Sequence, residues 1–335
     1  MQGIKSAIFY IHLKLMSKEN YRLSIENVNK AIQIIDPIFL NTPQFVCDSL
    51  SALFDLTLIT KIETLNPVRC FKGRGSEVFV ANAAPGTPFF CASAGNFGQA
   101  LAYSCKKREL SLTVFASINA NPFKLERMKS LGANVILSGE DFDSAKLEAK
   151  RRSVESNARF IEDGLDIESL EGAGTIGLEL LKFPEKIDII LIALGNGALL
   201  NGVARIIKHY KPEIKIIAVQ AKGASAMVDS WRSSTIVTYE HMNTIADGIA
   251  VRLPIPQALK DMEGLVDEAI LVEDDSIIKA MVLFHQQMGI ITEPSGAVGL
   301  AAIIENPDKF KHQTVATIIC GSNLTTDQMK RWLVN

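Results

Sequence analysis

The stretch "DIILIALGNGALLNGVARII" (residues 188–207) places a buried strand, a glycine turn and a helix in direct succession. The strand is continuously apolar from Ile189 to Leu194, which is typical of a parallel sheet covered by helices on both faces. In such sheets, ligand sites lie beyond the carboxyl ends of the strands. Backbone N–H groups that enter a helix attract anions, and the glycines at 195 and 197 let a ligand approach the backbone closely. We therefore predict a site for one phosphate group at this turn.

Two nucleotide-binding motifs are absent from this turn. A dinucleotide fingerprint would need glycine at position 200, where the chain has Leu200. The next strand ends in Gln220 instead of an acidic residue that could hold a ribose, and the Gly-Lys-Ser/Thr of a P-loop is missing. A tightly packed turn without a ligand remains the alternative to a phosphate site.

Strands and helices alternate along the rest of the chain, which predicts an α/β fold with parallel sheets. Ser24 is a candidate N-cap ahead of Asn27, and Gly132 a candidate left-handed C-cap. The predicted strands are "LTLITKIE" (56–63), "SLTVFAS" (111–117), "ANVILSG" (133–139), "KIDIILIAL" (186–194) and "EIKIIAVQA" (213–221). The predicted helices are "LSIENVNKAIQII" (23–35), "GQALAYSCKKREL" (98–110), "PFKLERMKSLG" (122–132), "DFDSAKLEAKRRSVES" (141–156), "TIGLELLKFP" (175–184) and "GALLNGVARIIKHY" (197–210).

Composition limits the function classes. With 335 residues, 47% hydrophobic and 21% charged, the chain can build the core of one large or two smaller domains. A formal net charge of −2 without a basic tract gives no support for a nucleic-acid partner or an anionic membrane partner. The five cysteines form no CxxC pair, which favours reduced thiols in a cytoplasmic protein over disulfides or a zinc site.

The first stretch, "MQGIKSAIFYIHLKLM" (1–16), is superficially similar to a signal peptide. His12 and Lys14 interrupt its apolar run, and no small-residue cleavage site follows. No later apolar run is long enough to span a bilayer. We therefore predict a soluble, cytoplasmic protein, in which Met16 could be the true start and residues 1–15 a non-native extension.

Four further turns carry candidate functional groups, each with a plainer alternative. The stretch "NPVRCFKGRGSEV" (66–78) holds Lys72 beside a Gly-Arg-Gly turn, which taken alone favours a solvated loop with two cations. The stretch "FFCASAGNFGQALAY" (89–103) could hold a carboxylate or a ring oxygen, or could be only a capped helix start. Glu293 and Cys320 lie at two more turns, where a buried thiol is the usual fate of a free cysteine.

Together these stretches resemble the pyridoxal-phosphate (PLP) enzymes of the threonine dehydratase and serine racemase group. The stretch "NPVRCFKGRG" is similar to that family's lysine motif, and the resemblance covers roughly residues 40 to 325. It continues in order through "SAGNFGQA", "NPFKLERMKSLGANVIL", "GNGALLNG", "TIADGIAV", "TEPSGAVGLAA" and "CGSN". It implies a fold-type II PLP enzyme, with a large doubly wound domain (residues 1–84 and 166–335), a smaller inserted α/β lobe (85–165), and a homodimer or homotetramer.

The resemblance also implies a role for each matching residue. Lys72 would hold PLP as a Schiff base and take the α-proton of an amino-acid substrate, and Phe71 would pack beside it. Asn96 would contact the ring hydroxyl, Cys320 would face the ring nitrogen, and Glu293 would line the cofactor site. The cofactor phosphate would lie on Gly195, Asn196, Gly197, Ala198 and Leu199. The substrate carboxylate would lie on Ser93, Ala94, Gly95 and Asn96, with Gly248 lining the substrate site.

Three departures from the family pattern narrow the expected activity. Ala94 stands where serine racemases have a serine that exchanges a proton, which argues against racemisation. Gln220 and Ala226 replace the acidic residues of metal-dependent members, so we expect no metal there. Phe97 replaces the usual histidine after Asn96, a change of local polarity that could alter substrate choice.

The expected function is PLP-dependent β-elimination from L-threonine or L-serine, giving a 2-oxo acid and ammonia. Elimination or replacement on another β-substituted amino acid, such as 3-hydroxyaspartate or 2,3-diaminopropionate, stays open, because sequence separates these poorly. A dinucleotide-dependent dehydrogenase and a binding protein without turnover are the alternatives from other classes. Two other candidate sites have plainer explanations: His285 as a packed or half-exposed residue, and Asp141, Asp143 and Glu148 as a solvated helix start.

Overall fold

The computed structural model describes residues 21–120 and 122–334 of the chain. The first stretch, including residues 1–15 and Met16, lies outside the described residues. Within the described part, no helix is long and apolar enough to cross a membrane.

Two sheets form the framework of the described chain. Their strands are β1 (Gln44–Val46), β2 (Thr57–Ile62), β3 (Phe89–Ala92), β4 (Leu112–Ala116), β5 (Asn134–Leu137), β6 (Arg159–Ile161), β7 (Ile189–Ala193), β8 (Lys215–Ala221), β9 (Glu268–Val272) and β10 (Thr314–Ile319). One sheet has the order β1-β2-β10-β7-β8-β9 and the other the order β5-β4-β3-β6. The predicted α/β class is therefore confirmed.

Helices flank both sheets. They are α1 (Ile25–Ile34), α2 (Asp48–Phe54), α3 (Lys72–Ala81), α4 (Asn96–Lys107), α5 (Pro122–Ser130), α6 (Phe142–Glu155), α7 (Ile167–Leu180), α8 (Ala198–Tyr210), α9 (Ala226–Ser233), α10 (Pro256–Met262), α11 (Asp274–Met288), α12 (Pro294–Glu305), α13 (Pro307–Phe310) and α14 (Thr326–Leu333). The predicted caps are present: the Ser24 hydroxyl accepts from Asn27 N at 3.4 Å, and Gly132 has φ +93°.

The six-stranded sheet is parallel except at one edge. Strand β10 pairs in parallel with both β2 and β7, whereas β1 runs antiparallel to β2. Strand β1 was not predicted from the sequence, and it is the exception to the predicted parallel arrangement. Only residues 47–56 separate β1 from β2, which is shorter than the usual crossover between parallel strands.

The four-stranded sheet is parallel throughout and is built from consecutive residues of the chain. Strands β3 to β6 all lie between β2 and β7, so the chain leaves the six-stranded sheet once and returns once. This arrangement agrees with an inserted lobe. The exact limits, residues 85–165, stay a prediction, because two sheets do not by themselves define independently folding units.

Helix α7 brings two functional helices together. It begins at Ile167, eight residues before the predicted stretch at 175, with Asp166 in the N-cap position. A Cβ atom on Gly172 would lie 2.2 Å from Gly75 N in α3, and one on Gly202 of α8 would lie 2.6 Å from Leu170 O. Because no side chain separates these backbones, α3 and α8 are held in fixed positions against α7.

Candidate active site

A cavity of about 740 Å³ lies where the carboxyl ends of strands from both sheets meet. This is the expected place for a ligand in parallel α/β sheets. The structure brings every predicted site residue to its lining: Phe71, Lys72, Ser93, Ala94, Gly95, Asn96, Gly195, Asn196, Gly197, Ala198, Leu199, Gly248, Glu293 and Cys320.

Lys72 is the first residue of α3 and projects into the cavity. Its Nζ lies 4.5 Å from the centre of the Phe71 ring and 2.7 Å from Asp163 Oδ2. Phe71 N donates to Cys320 O at 3.0 Å, which ties the lysine loop to the end of β10. The primary amine and the thiol therefore share one wall of the cavity. Asp163 was not predicted, although an acid just beyond a strand of a parallel sheet is a usable sequence signal.

A buried ionic network lies behind the lysine. Arg74 is fully buried, and its guanidinium binds Glu63 and Glu179 at 2.7–2.9 Å. Lys61 Nζ also binds Glu179, at 2.5 Å. Burial alone would raise the pKa of Glu179, but hydrogen bonds and charge from Arg74 and Lys61 lower it to about 2. The simple interpretation of "GRG" as a solvated loop is therefore wrong, because the arginine is needed to balance buried carboxylates.

The glycine turn between β7 and α8 combines close packing with free donors. A Cβ atom on Gly195 would lie 3.2 Å from Gly248 O, and Gly197 has φ +92°. Helix α8 begins directly after this turn, at Ala198, so the N–H groups of its first turn have no partner within the helix. Tight packing, the alternative to a phosphate site, is thus present together with a helix start whose N–H groups are able to bind an anion.

A hydrogen-bonded triangle fixes the orientation of the Asn96 amide. Its Nδ2 donates to Glu293 Oε1 at 2.6 Å, and its Oδ1 accepts from Asn323 Nδ2 at 2.8 Å. Asn323 N closes the triangle on Glu293 Oε2 at 3.0 Å. One Asn96 N–H therefore remains for an acceptor in the cavity. Asn323 was not singled out from the sequence, although it ends the quoted "CGSN".

The turn before α4 is a capped helix start, which was the simpler of the two interpretations of this stretch from the sequence. The Ser93 hydroxyl oxygen accepts from Gly95 N at 3.2 Å and Gly98 N at 2.9 Å. These bonds occupy the acceptor sites of the hydroxyl and leave its O–H as a donor. The capped turn can therefore also bind a carboxylate.

Cys320 presents an uncharged thiol to the cavity. Burial and the negative charge of Glu293 raise the pKa of Cys320, so its sulfur stays protonated near neutral pH. Burial likewise raises the pKa of the neighbouring Cys70 to about 12. A thiol in this state can share a hydrogen bond with an uncharged ring nitrogen.

Ion pairs line the outer part of the cavity. Arg252 Nη2 binds Asp141 at 2.9 Å, and its guanidinium also binds Asp143. Lys124 pairs with Asp247. Asp141 does cap α6 through Ser144 N, but Asp141 and Asp143 face the cavity as well, so a solvated helix start describes them incompletely.

Glu148, His285 and Gln220, which were also considered from the sequence, do not line the cavity. Glu148 pairs with two arginines on the surface of α6, and His285 is exposed on α11 and does not line the cavity. Gln220 accepts from Val228 N at 3.1 Å. In the described part of the chain, no group of three or more His, Cys, Asp or Glu residues could hold a metal ion.

The residues of the cavity fit PLP. An amine, a helix start with free N–H groups, an open Asn96 donor and an uncharged thiol match the aldehyde, phosphate, hydroxyl and ring nitrogen of that cofactor. An orphaned polar atom also points to a ligand: the Ser295 hydroxyl lines the cavity, is 3% exposed, and has no hydrogen-bond partner among the described residues.

This α/β fold brings a lysine amine and a glycine turn with a helix start into one cavity. A family profile described as "Pyridoxal-phosphate dependent enzyme" matches residues 35–321, and the chain belongs to that family. PLP is therefore the cofactor, and the predicted fold type is confirmed.

Individual relatives narrow the class further. An L-threonine ammonia-lyase of Thermotoga maritima is 30% identical over 312 residues, covering 92% of this chain and 78% of the relative. The structure of maize serine racemase is 28% identical with a TM-score of 0.87, covering 93% of this chain and 97% of that one. Processed threonine deaminase isoform 2 from Solanum lycopersicum is 26% identical with a TM-score of 0.84, covering 92% and 93%. The chain is a PLP-dependent lyase that carries out β-elimination on amino acids.

Proposed function

We propose that this enzyme is an L-threonine and L-serine ammonia-lyase, which forms 2-oxobutyrate or pyruvate together with ammonia. The observation that carries the proposal is a single cavity in which Lys72 faces the anion-binding helix start of α8 and the capped turn at Ser93. The name of the Thermotoga maritima relative agrees with the same activity.

Each residue receives a role in this proposal. Lys72 holds PLP, which supplies an electron sink for charge that develops at the substrate Cα. Backbone N–H groups from Gly195 to Leu199 bind the phosphate, Asn96 donates to the ring hydroxyl, and Cys320 faces the ring nitrogen. Phe71 packs beside the lysine, and Glu293 orients Asn96. The turn from Ser93 through Ala94 and Gly95 to Asn96 binds the substrate carboxylate, and Gly248 lines the substrate site.

The chain's own part in catalysis is to position the substrate and move one proton. With PLP bound and a substrate in place, the Lys72 amine would accept the Cα proton, a contribution of about 10²- to 10⁴-fold. In the net reaction, the Cα proton and the Cβ hydroxyl leave as water, and one water is taken up when the nitrogen is released, so the products are the 2-oxo acid and ammonia. Ala94 has no exchangeable proton, so a second proton transfer from its position, which racemisation would need, has no donor.

The test is an absorption spectrum of the purified protein before and after L-threonine and L-serine, with 2-oxo acid release followed in parallel. We expect a visible band that is lost in Lys72→Ala, and oxo acid only with the unaltered lysine. A band that shifts without oxo acid would redirect the search to other β-substituted amino acids. If no band forms even with added PLP, the assigned site roles are wrong.

We further propose that the enzyme is a homodimer or homotetramer and that it is cytoplasmic. We also propose that residues 85–165 form a separate lobe. Light scattering measures the mass of the assembly directly. Limited proteolysis that cuts near residues 85 and 165 before other positions would support the lobe limits, whereas scattered early cuts would count against them.

A further inference from the structure

Asp163 is a carboxylate in the cavity that the assigned roles leave unused. Its Oδ2 accepts from Lys72 Nζ at 2.7 Å, and both side chains are 15% exposed. The contact shows that Asp163 can hold a primary ammonium group beside the atom that reacts. The same wall of the cavity therefore carries a carboxylate within reach of the substrate carbons that Lys72 must approach.

The turn that carries Asp163 is fixed from several sides. Leu165 N and Asp166 N both donate to Glu162 O, and Asp166 Oδ2 accepts from Glu162 N at 2.6 Å. Gly164 has φ +81°, and a Cβ atom there would lie 2.3 Å from Asn196 O. Because the turn rests directly on the glycine turn, Asp163 keeps its position relative to the predicted phosphate site.

Arg22 anchors this turn from its far side. Its guanidinium donates to Leu165 O at 2.5 Å and to Gly164 O at 3.5 Å, and it pairs with Asp261 at 2.6 Å. The carboxylate of Asp163 is thus presented by a rigid segment, and rigid placement is what selective recognition of a charged group needs.

The other cations of the cavity are already paired with other acids. Lys124 binds Asp247, and Arg252 binds Asp141 and Asp143. Lys146 binds Glu162 at 3.1 Å. When the Lys72 amine is engaged by the cofactor, the described cavity offers Asp163 no other lysine or arginine that is uncommitted. The carboxylate is then available to a positive group on the substrate.

The cavity as a whole is acidic. Four basic residues and seven carboxylates line it, a formal charge of −3 before the cofactor phosphate adds more. The carboxylates are Asp141, Asp143, Glu162, Asp163, Glu240, Asp247 and Glu293. A substrate with a second carboxylate, such as 3-hydroxyaspartate, would meet uncompensated like charge, which is unfavourable inside a partly desolvated site.

We propose that Asp163 lets this site also accept amino acids that carry a primary ammonium group on Cβ, of which 2,3-diaminopropionate is the simplest. This inference rests on the proposed lyase function. The Cα proton passes to Lys72, the electrons of that C–H bond form the Cα–Cβ double bond, and the Cβ–N bond breaks with its electron pair on the leaving nitrogen. With one water, 2,3-diaminopropionate gives pyruvate and two ammonia molecules.

The experiment compares L-2,3-diaminopropionate with L-serine. The two differ only on Cβ, which carries an ammonium group in the first and a hydroxyl in the second. Pyruvate release is measured for the PLP-loaded wild type, Asp163→Asn, Asp163→Glu and Asp247→Asn. Asp247→Asn is the matched control, because it removes one carboxylate from the same cavity without touching Lys72. A second readout is the loss of isotopically labelled L-serine in the presence of unlabelled 2,3-diaminopropionate, which reports how strongly the two amino acids compete for the site.

We expect wild type to turn over 2,3-diaminopropionate as well as serine, and Asp163→Asn to lower the ratio of kcat/KM for 2,3-diaminopropionate to that for serine by about tenfold or more, as for a lost charge-assisted contact. Asp163→Glu should recover part of the ratio, and Asp247→Asn should leave it unchanged. Competition with labelled serine should weaken in Asp163→Asn alone.

Three results would overturn the inference. The first is serine turnover without either turnover of, or competition by, 2,3-diaminopropionate, which leaves the lyase function intact. The second is an equal loss for both substrates in Asp163→Asn, which would mean that Asp163 acts only through Lys72. The third is the same change of ratio in Asp247→Asn. If no 2-oxo acid forms from any amino acid, the proposed function fails as well.

Discussion

At the scale of single residues, the site depends on side-chain contacts between positions far apart in the sequence, which are harder to predict than the site residues themselves. Lys72, Asn96 and the glycine turn were found because their neighbours along the chain form recognisable patterns. Asp163 and Asn323 were missed because their importance depends on contacts across 91 and 227 positions of sequence. Local patterns carry no information about such pairs.

Glu179 offers a pH test of the buried network at this scale. Its folded pKa of about 2 lies below the usual value of 4.5, so it contributes stability above pH 4.5 that is lost as the pH falls toward 2. The shift corresponds to roughly 3 kcal/mol. Between pH 5 and 3, the free energy of unfolding should fall more steeply in wild type than in Glu179→Gln, measured by urea denaturation. Parallel curves for the two proteins would contradict this.

At the scale of elements, strands were easier to predict than helix starts. The apolar runs of β2, β4, β7 and β8 are unambiguous because parallel strands are covered on both faces. The start of helix α7 was predicted eight residues too late, because Gly172 and Gly174 weaken the helical pattern before residue 175. Those glycines are explained only by the close approach of α3 and α1, which a single sequence does not show.

Gly172 tests the packing of these helices. In Gly172→Ala, the new methyl group would lie 2.2 Å from Gly75 N, so backbone must move. We expect a loss of about 1–3 kcal/mol in the free energy of unfolding, even though alanine favours helix by up to about 1 kcal/mol. In the control, Gly174→Ala, the methyl group meets a side chain, Val28, at 2.9 Å and not backbone, so the loss should be smaller. Equal losses would show that α3 does not depend on this contact.

At the scale of the whole molecule, the active site is closed by charge pairs that join the two sheets' helices and loops. Lys124 of α5 binds Asp247, and Asp141 and Asp143 at the start of α6 bind Arg252. The sequence predicted parallel sheets, with a smaller lobe inserted into a larger domain as the family resemblance implied. It did not predict these pairs, since each joins residues more than 100 positions apart that carry no motif.

Arg252 is the better test of this closure, because one guanidinium binds two carboxylates. Arg252→Gln should change the free energy of unfolding by about 1 kcal/mol or less, because the ion pairs are partly exposed. It should nevertheless speed hydrogen exchange in residues 238–253 and at the start of α6, because the two segments lose their connection. In wild type, raising the salt concentration should shift exchange toward that of the variant, since partly exposed pairs are screened.

The matched control is Arg151→Gln, which removes an arginine from α6, the helix whose start binds Arg252. Arg151 binds Glu148 and Glu155 within α6 and does not reach the other sheet, so its loss should leave exchange in residues 238–253 unchanged. Equal exchange in wild type and Arg252→Gln would show that the cavity is held closed by packing alone. If exchange is faster in Arg252→Gln but not in Arg151→Gln, and if salt speeds exchange in wild type, the Arg252 ion pairs control how readily the two sheets separate around a substrate.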